Sequence, residues 1–211
     1  MAEYETEEQQ VKAIKDWWKE NGRSVIAGVV IGVAGLVGWK GWNAYQEQQS
    51  LAASDRYQAM RASILAQNLE AVVQQAGDLK DNYGSTPYAS LGALLLAKAK
   101  AEQGDEDAII ESLQWVIDNG KQATLQSIAK LRLARVYVAQ ENLDAAQKLL
   151  DQQYPQAYQS LLAEIRGDLL ARRGDVAAAR VAYDQAIETA GAEDIDYLRM
   201  KRDNLGISGE S

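Results

Sequence analysis

The sequence predicts an all-α chain, a single N-terminal transmembrane helix followed by a solenoid of stacked helical hairpins. Three observations predict it. An uncharged, glycine-spaced run near the N-terminus is bracketed by tryptophans and cations. The rest of the 211-residue chain is rich in Ala, Leu, Gln, Glu and Lys at helical spacing, with only 2 prolines in all. Breaks containing Gly, Asn or Pro then divide that region at near-regular intervals.

Residues 24–39 read SVIAGVVIGVAGLVGW, without a charge. A run of 16 falls short of the roughly 20 residues that cross about 30 Å of hydrocarbon, and its flanks supply the remainder. Arg23 and Lys40 can extend their heads into the interface. Trp17 and Trp18 precede the run, and Trp39, Trp42 and Tyr45 follow it. Trp18 and Trp39 are 21 residues apart, about 32 Å along a helix. That spacing matches two interfacial aromatic belts. The expected division is a cytoplasmic segment over 1–22, a transmembrane helix over 23–44 and a periplasmic domain over 45–211.

The anchor is expected to stay uncleaved. A secretory signal has a short cationic start and small residues just after the apolar run. Here the start is 23 residues long with six acids, and bulky Trp39, Lys40 and Trp42 end the run. Lys12, Lys15, Lys19 and Arg23 precede it, against Lys40 at its boundary and Arg56 next, so the N-terminus is expected in the cytoplasm and residues 45–211 outside it, which in a bacterium means the periplasm. Val11, Ile14 and Trp18 share a helical face beside Lys12, Lys15 and Lys19, suiting an amphipathic turn at the membrane surface. Gly28, Gly32 and Gly35, with Ala34 and Gly38, offer a small-residue face to another membrane helix.

Beyond residue 45, breaks fall at 82–87, 104–105, 119–120, 141–142, 154–155, 174–175 and at Gly191, leaving helices of roughly 10 to 18 residues. Residues 46–80 read as a degenerate first hairpin continuing from the membrane helix. Gly167, Leu170, Gly174-Asp175, Ala179, Tyr183 and Ala186 have the order and spacing of a tetratricopeptide repeat. Gly167 and Ala179 would let the two helices approach closely, Gly174 would turn the chain, and Tyr183 would plug the space between hairpins. Leu133, Ala134, Tyr137, Ala146 and Leu150 repeat the pattern, both small positions lying 33 residues earlier. A weaker copy over Leu96, Ala97, Gly104-Asp105, Leu113 and Val116 is displaced by 37, which implies an insertion near 119–123. A capping helix, begun by Glu193-Asp194, is expected at 195–204.

Such solenoids work as interaction scaffolds whose concave face is lined by the first helix of each hairpin. The repeat register puts Ile128, Leu131, Arg135 and Val138 on that face, then Leu161, Glu164, Asp168 and Arg172, with Lys98 from the weak copy. A groove of mixed apolar and charged character fits a peptide or partner protein.

Composition narrows the chemistry. The chain has no Cys and no His, which removes thiolate nucleophiles, imidazole bases and sulfur or imidazole metal ligands. No catalytic, cofactor-binding or metal-binding residue is expected. A carboxylate pair could still act, but acids such as Glu106-Asp107, or Asp194 and Asp196, sit at helix starts, where capping and the helix dipole explain them. The net charge of −8, with 17 basic and 24 acidic side chains in residues 41–211, disfavours nucleic acid.

The block Trp17-Trp18-Lys19-Glu20-Asn21-Gly22-Arg23, the glycine-spaced run and Gly38-Trp39-Lys40-Gly41-Trp42-Asn43 together resemble the YfgM family. The resemblance continues through Leu131-Arg132-Leu133-Ala134-Arg135-Val136 and Leu169-Leu170-Ala171-Arg172-Arg173-Gly174-Asp175, essentially the whole chain. It implies an ancillary subunit of the bacterial SecYEG translocon, in the inner membrane, with a cytoplasmic N-terminus and a periplasmic tetratricopeptide-like domain. It further implies the membrane-anchored periplasmic chaperone PpiD as a partner, and unfolded, newly translocated proteins as clients. The residues leave open a scaffold for a different envelope assembly complex, because repeat folds do not fix their ligands.

Overall fold

The structure, a computed structural model, describes residues 7–191 and 195–205, and those residues contain helices and no strand. The expected helix start at Glu193-Asp194 lies outside the described residues. The chain divides into two compact units, Met1–Gln49 and Ser50–Ser211.

The first unit is carried by helix α1, Glu7–Leu65, whose last residues belong to the second unit. Its apolar window is long enough to cross a membrane, and none of that window is buried within the protein. Ile26, Val29, Ile31, Leu36 and Val37 are each more than half exposed. A water-soluble helix buries such side chains, whereas a helix bounded by lipid need not. A Cβ placed on Gly28, Gly32, Gly35 or Gly38 would meet nothing within 4 Å, so the small-residue face is open. Trp17 and Trp18 lie 6.5 Å apart at one end of the run, and Trp42 and Tyr45 lie 6.1 Å apart at the other. The Trp18 indole folds back over Gly22, where a Cβ would sit 3.3 Å from it. Val11 and Ile14 belong to the opening turns of the same helix, without a break before the apolar run.

The second unit is a row of helical hairpins built on one turn used four times. Its helices after α1 are α2 Leu69–Tyr83, α3 Pro87–Ala101, α4 Glu106–Asn119, α5 Ala123–Ala139, α6 Leu143–Leu150, α7 Gln159–Arg172, α8 Val176–Thr189 and α9 Ile195–Asp203, with a 3₁₀ turn at Gln156–Tyr158 before α7. Gln67, Gly104, Glu141 and Gly174 all have positive φ, 55°, 72°, 59° and 81°. Each is followed by Asn68, Asp105, Asn142 or Asp175, whose side chain accepts from the backbone N–H of an alanine three residues on. Behind each turn the same two backbone bonds recur; Gly174 N–H donates to Ala171 and Asp175 N–H to Leu170. The left-handed residue closes one helix, and the Asx residue caps the next.

Counting from that turn, the same positions are buried in every hairpin. Seven residues before it lie Met60, Ala97, Ala134 and Gly167; five after it lie Val72, Ile109, Ala146 and Ala179. Nine after it lie Ala76, Leu113, Leu150 and Tyr183. The turns are 37, 37 and 33 residues apart. The first hairpin, the tail of α1 with α2, is therefore a full repeat.

Cores are shared between consecutive helices. Ala53, Met60, Val72, Leu79 and Leu96 join the α1 tail, α2 and α3. Leu94, Leu113, Val116 and Leu133 join α3, α4 and α5, and Leu131, Leu150, Ile165 and Leu169 join α5, α6 and α7. Burying each of these Leu, Ile, Val and Met side chains contributes about 1.5–3 kcal/mol.

Tyr183 packs on Gly167 of its own hairpin, where a Cβ would lie 2.6 Å from its ring, and Lys201 Nζ of the following helix α9 lies 5.9 Å from the ring centroid. One expectation needs correction: α6 and α9, at 8 and 9 residues, fall short of the expected 10 to 18. Residues after Leu150 leave the α6 helix through Asp151 and reach α7 by way of the 3₁₀ turn behind Pro155, which has no N–H to continue a helix.

Candidate functional site

The first helices α3, α5 and α7 hold the residues that the repeat register assigned to a groove, and packing sorts them into three groups. Leu131 and Val138 are buried, at 0% and 5% exposure, against Leu162, Ile165 and Leu169 of α7. They are core residues, which corrects their assignment to the surface: the stacking of α7 on α5 covers that stripe. Ile128 and Leu161 are half-buried at the margins of the same cores.

Arg135, Glu164 and Asp168 come together in a polar cluster completed by α9. The Arg135 guanidinium donates to Glu164 Oε1 at 3.1 Å. Lys201 Nζ donates to the same oxygen at 2.8 Å and to both oxygens of Asp168 at 2.7 Å. The Tyr183 hydroxyl donates to Asp168 Oδ1 at 2.7 Å. Lys201 also lies 5.1 Å from the Tyr197 ring centroid, within cation–π range.

The electrostatics follow from this geometry. Burial pulls the Lys201 ammonium down, but its bonds to Asp168 and Glu164 outweigh burial and hold it above its ordinary value of 10.5. Burial, then the bond to Asp168, pushes the Tyr183 phenol well above 10.0. Glu164 and Asp168 are thus engaged by the capping helix while it is docked. Leu198 anchors that helix between Ala163 and Ala186. Arg172, at the end of α7, reaches Glu141 at 3.6 Å as an exposed pair.

Among the cavities along these helices, two border Arg135. One, of about 420 Å³, lies between α5, α7 and α9 and is lined by Arg135, Ser160, Leu161, Glu164, Tyr197 and Leu198. The other, of about 340 Å³, lies between α3, α4 and α5. Ala97, Ile109, Leu113 and Val136 form its floor, and Lys98, Arg132 and Arg135 its rim. Register reasoning supplied Lys98 and Arg135 but missed Arg132 and Lys201. Arg132 follows buried Leu131 directly and so points elsewhere. Lys201 depends on how α9 docks, which no repeat position specifies.

Acids singled out in the sequence occupy structural posts. Asp105 caps α4 and accepts from Lys100 Nζ at 2.8 Å, which, with the cap, holds its carboxyl below the usual range. Glu106 and Asp107 fill the first turn of α4, where the helix dipole favours negative charge.

The model of the tetratricopeptide repeat-like domain family matches residues 15–207, which takes in the apolar run as well as the hairpins. Among curated proteins, the chain is 31% identical over 199 residues to the ancillary SecYEG translocon subunit of Haemophilus influenzae, covering 94% of this chain and 97% of that one. It is 30% identical to the protein of the same name from Escherichia coli, covering 97% and 98%. The Neisseria gonorrhoeae protein of that name is 28% identical, covering 97% and 100%. No solved structure matches the chain at a significant level.

Proposed function

The chain belongs to the YfgM family, whose curated members are named ancillary SecYEG translocon subunits, and from that premise we propose that it is a membrane-anchored, non-enzymatic scaffold of the translocon. The observation that carries the reading is the collinearity of the match: anchor and hairpins are matched together, over nearly the full length of both proteins.

Residues 1–22 stay in the cytoplasm, 23–44 cross the inner membrane, and 45–211 stand in the periplasm. The cation excess before the apolar run supports this orientation. Confined to the membrane plane, the hairpin domain has a raised effective concentration beside an emerging chain. There it assists the chaperone PpiD with newly translocated proteins, and the groove along α3, α5 and α7 supplies contacts without chemistry. The lack of His and Cys supports a role by contact, as do the capping roles of the acids.

The test is purification of the full chain after gentle detergent extraction. SecYEG components and PpiD accompany it on this reading. Recovery instead of a different envelope assembly complex, with no translocon component, refutes it. A reporter fused at the C-terminus must act in the periplasm.

A further inference from the structure

Resting on the scaffold reading above, we propose that the groove between α3, α4 and α5 docks a segment of a partner protein carrying apolar side chains flanked by carboxylates. The floor is apolar and the rim is cationic. Ala97, Ile109 and Leu113 are 4%, 8% and 1% exposed, so the floor is fixed by the core beneath it. Lys98 and Arg132 are exposed on the rim, and neither has an ion-pair or hydrogen-bond partner among the described residues. No acid lines the groove.

The groove sets its two unpaired cations beside an apolar floor that no acid lines. The chain carries −8 overall, and Arg56, Lys100, Arg173 and Arg202 each hold a carboxylate. Two cations left unpaired beside one apolar surface therefore make a local positive field in a negative protein. A carboxylate reaching them gains attraction strengthened by the low-dielectric floor, while apolar side chains next to it fill the 340 Å³ cavity. A phosphate polymer would gain the cations but not the floor, and would meet the surrounding negative charge. Arg135 borders both cavities and is already matched by Glu164, which lines only the neighbouring cavity against α9, so Lys98 and Arg132 supply the free charge here. The occupant recognised is an acidic, apolar peptide segment.

The full chain in discs of neutral lipid is titrated with fluorescent short peptides of leucine alternating with aspartate. Two comparison peptides carry lysine for aspartate or serine for leucine. The Leu-Asp peptide binds and the other two do not. Lys98→Glu with Arg132→Glu weakens binding by about tenfold or more, corresponding to about 1.4 kcal/mol, and added salt weakens it in the wild type. Ala139→Trp, which crowds the groove without changing charge, also weakens it. Arg180→Glu on α8 leaves it unchanged, and thermal melts show that every variant is folded. Equal binding of the Leu-Lys peptide, or undiminished binding by the charge-reversed variant, overturns the proposal. So does charge-dependent binding of anionic vesicles with no peptide binding. Translocon components that accompany the wild type while the peptide fails leave the scaffold reading standing and remove only the docking site. Their absence removes the scaffold reading whatever the peptide does.

Discussion

Gly167→Ala tests the hairpin geometry at its tightest point. The added Cβ would lie 2.6 Å from Tyr183 Cε1 and 2.7 Å from Cδ1. The ring must retreat by about 0.8 Å to reach an ordinary 3.4 Å contact. It has little freedom to do so, being 3% exposed with its hydroxyl held to Asp168 at 2.7 Å. Overpacking of this kind costs about 1–3 kcal/mol, and a strained hydrogen bond adds about 1. Alanine's higher helix propensity returns about 1 kcal/mol. The net loss is about 1–3 kcal/mol, a fall in Tm of roughly 5 °C at 2–4 °C per kcal/mol. Gly77→Ala in α2 is the control, because a Cβ there meets nothing within 4 Å. It gains about 0.5–1 kcal/mol. The assay is thermal unfolding of the full chain in detergent, followed by circular dichroism. If Gly167→Ala raised the Tm as Gly77→Ala does, the seating of Tyr183 on Gly167 would be wrong.

The remaining predictions use the same assay. Glu141→Gly raises stability by about 1 kcal/mol, because its φ of 59° costs a side-chain-bearing residue about 1–2 kcal/mol and glycine's greater unfolded-state freedom offsets part of that; an unchanged or lower Tm counts against the turn assignment. Asp175→Ala removes the cap on Ala178 N–H and lowers stability by about 1 kcal/mol, with Asp175→Asn restoring most of it. Tm falls steeply above about pH 10. Tyr183 and Lys201 both have folded-state values raised above 10.0 and 10.5, so their stabilisation is complete below those values and disappears as pH rises through the folded ones. Tyr183→Phe removes the tyrosine part and shallows that slope.

The turns show what the sequence disclosed and what it concealed. Gly104-Asp105 and Gly174-Asp175 are legible because glycine marks a left-handed residue. Glu141-Asn142 is legible from its period. Gln67-Asn68 carries no glycine, so the end of α1 was hidden inside a helical composition that continues from the membrane run. The 37-residue step from Asn68 to Asp105, repeated to Asn142, was the available signal. Arg135, Glu164 and Asp168 share one polar cluster, and the cation that joins the two acids was not legible. Lys201 comes from α9, outside the repeat. Leu131 and Val138 looked like surface residues because register gives angular position on a helix, whereas burial depends on how far α7 slides across α5.

The most direct test of the scaffold account is photo-crosslinking in intact cells from a probe replacing Arg132 on the groove rim, compared with one replacing Arg180 on α8. The account predicts adducts with SecYEG components, PpiD or secretory clients from position 132, and few or none from 180. Adducts with none of these proteins from either position would contradict it.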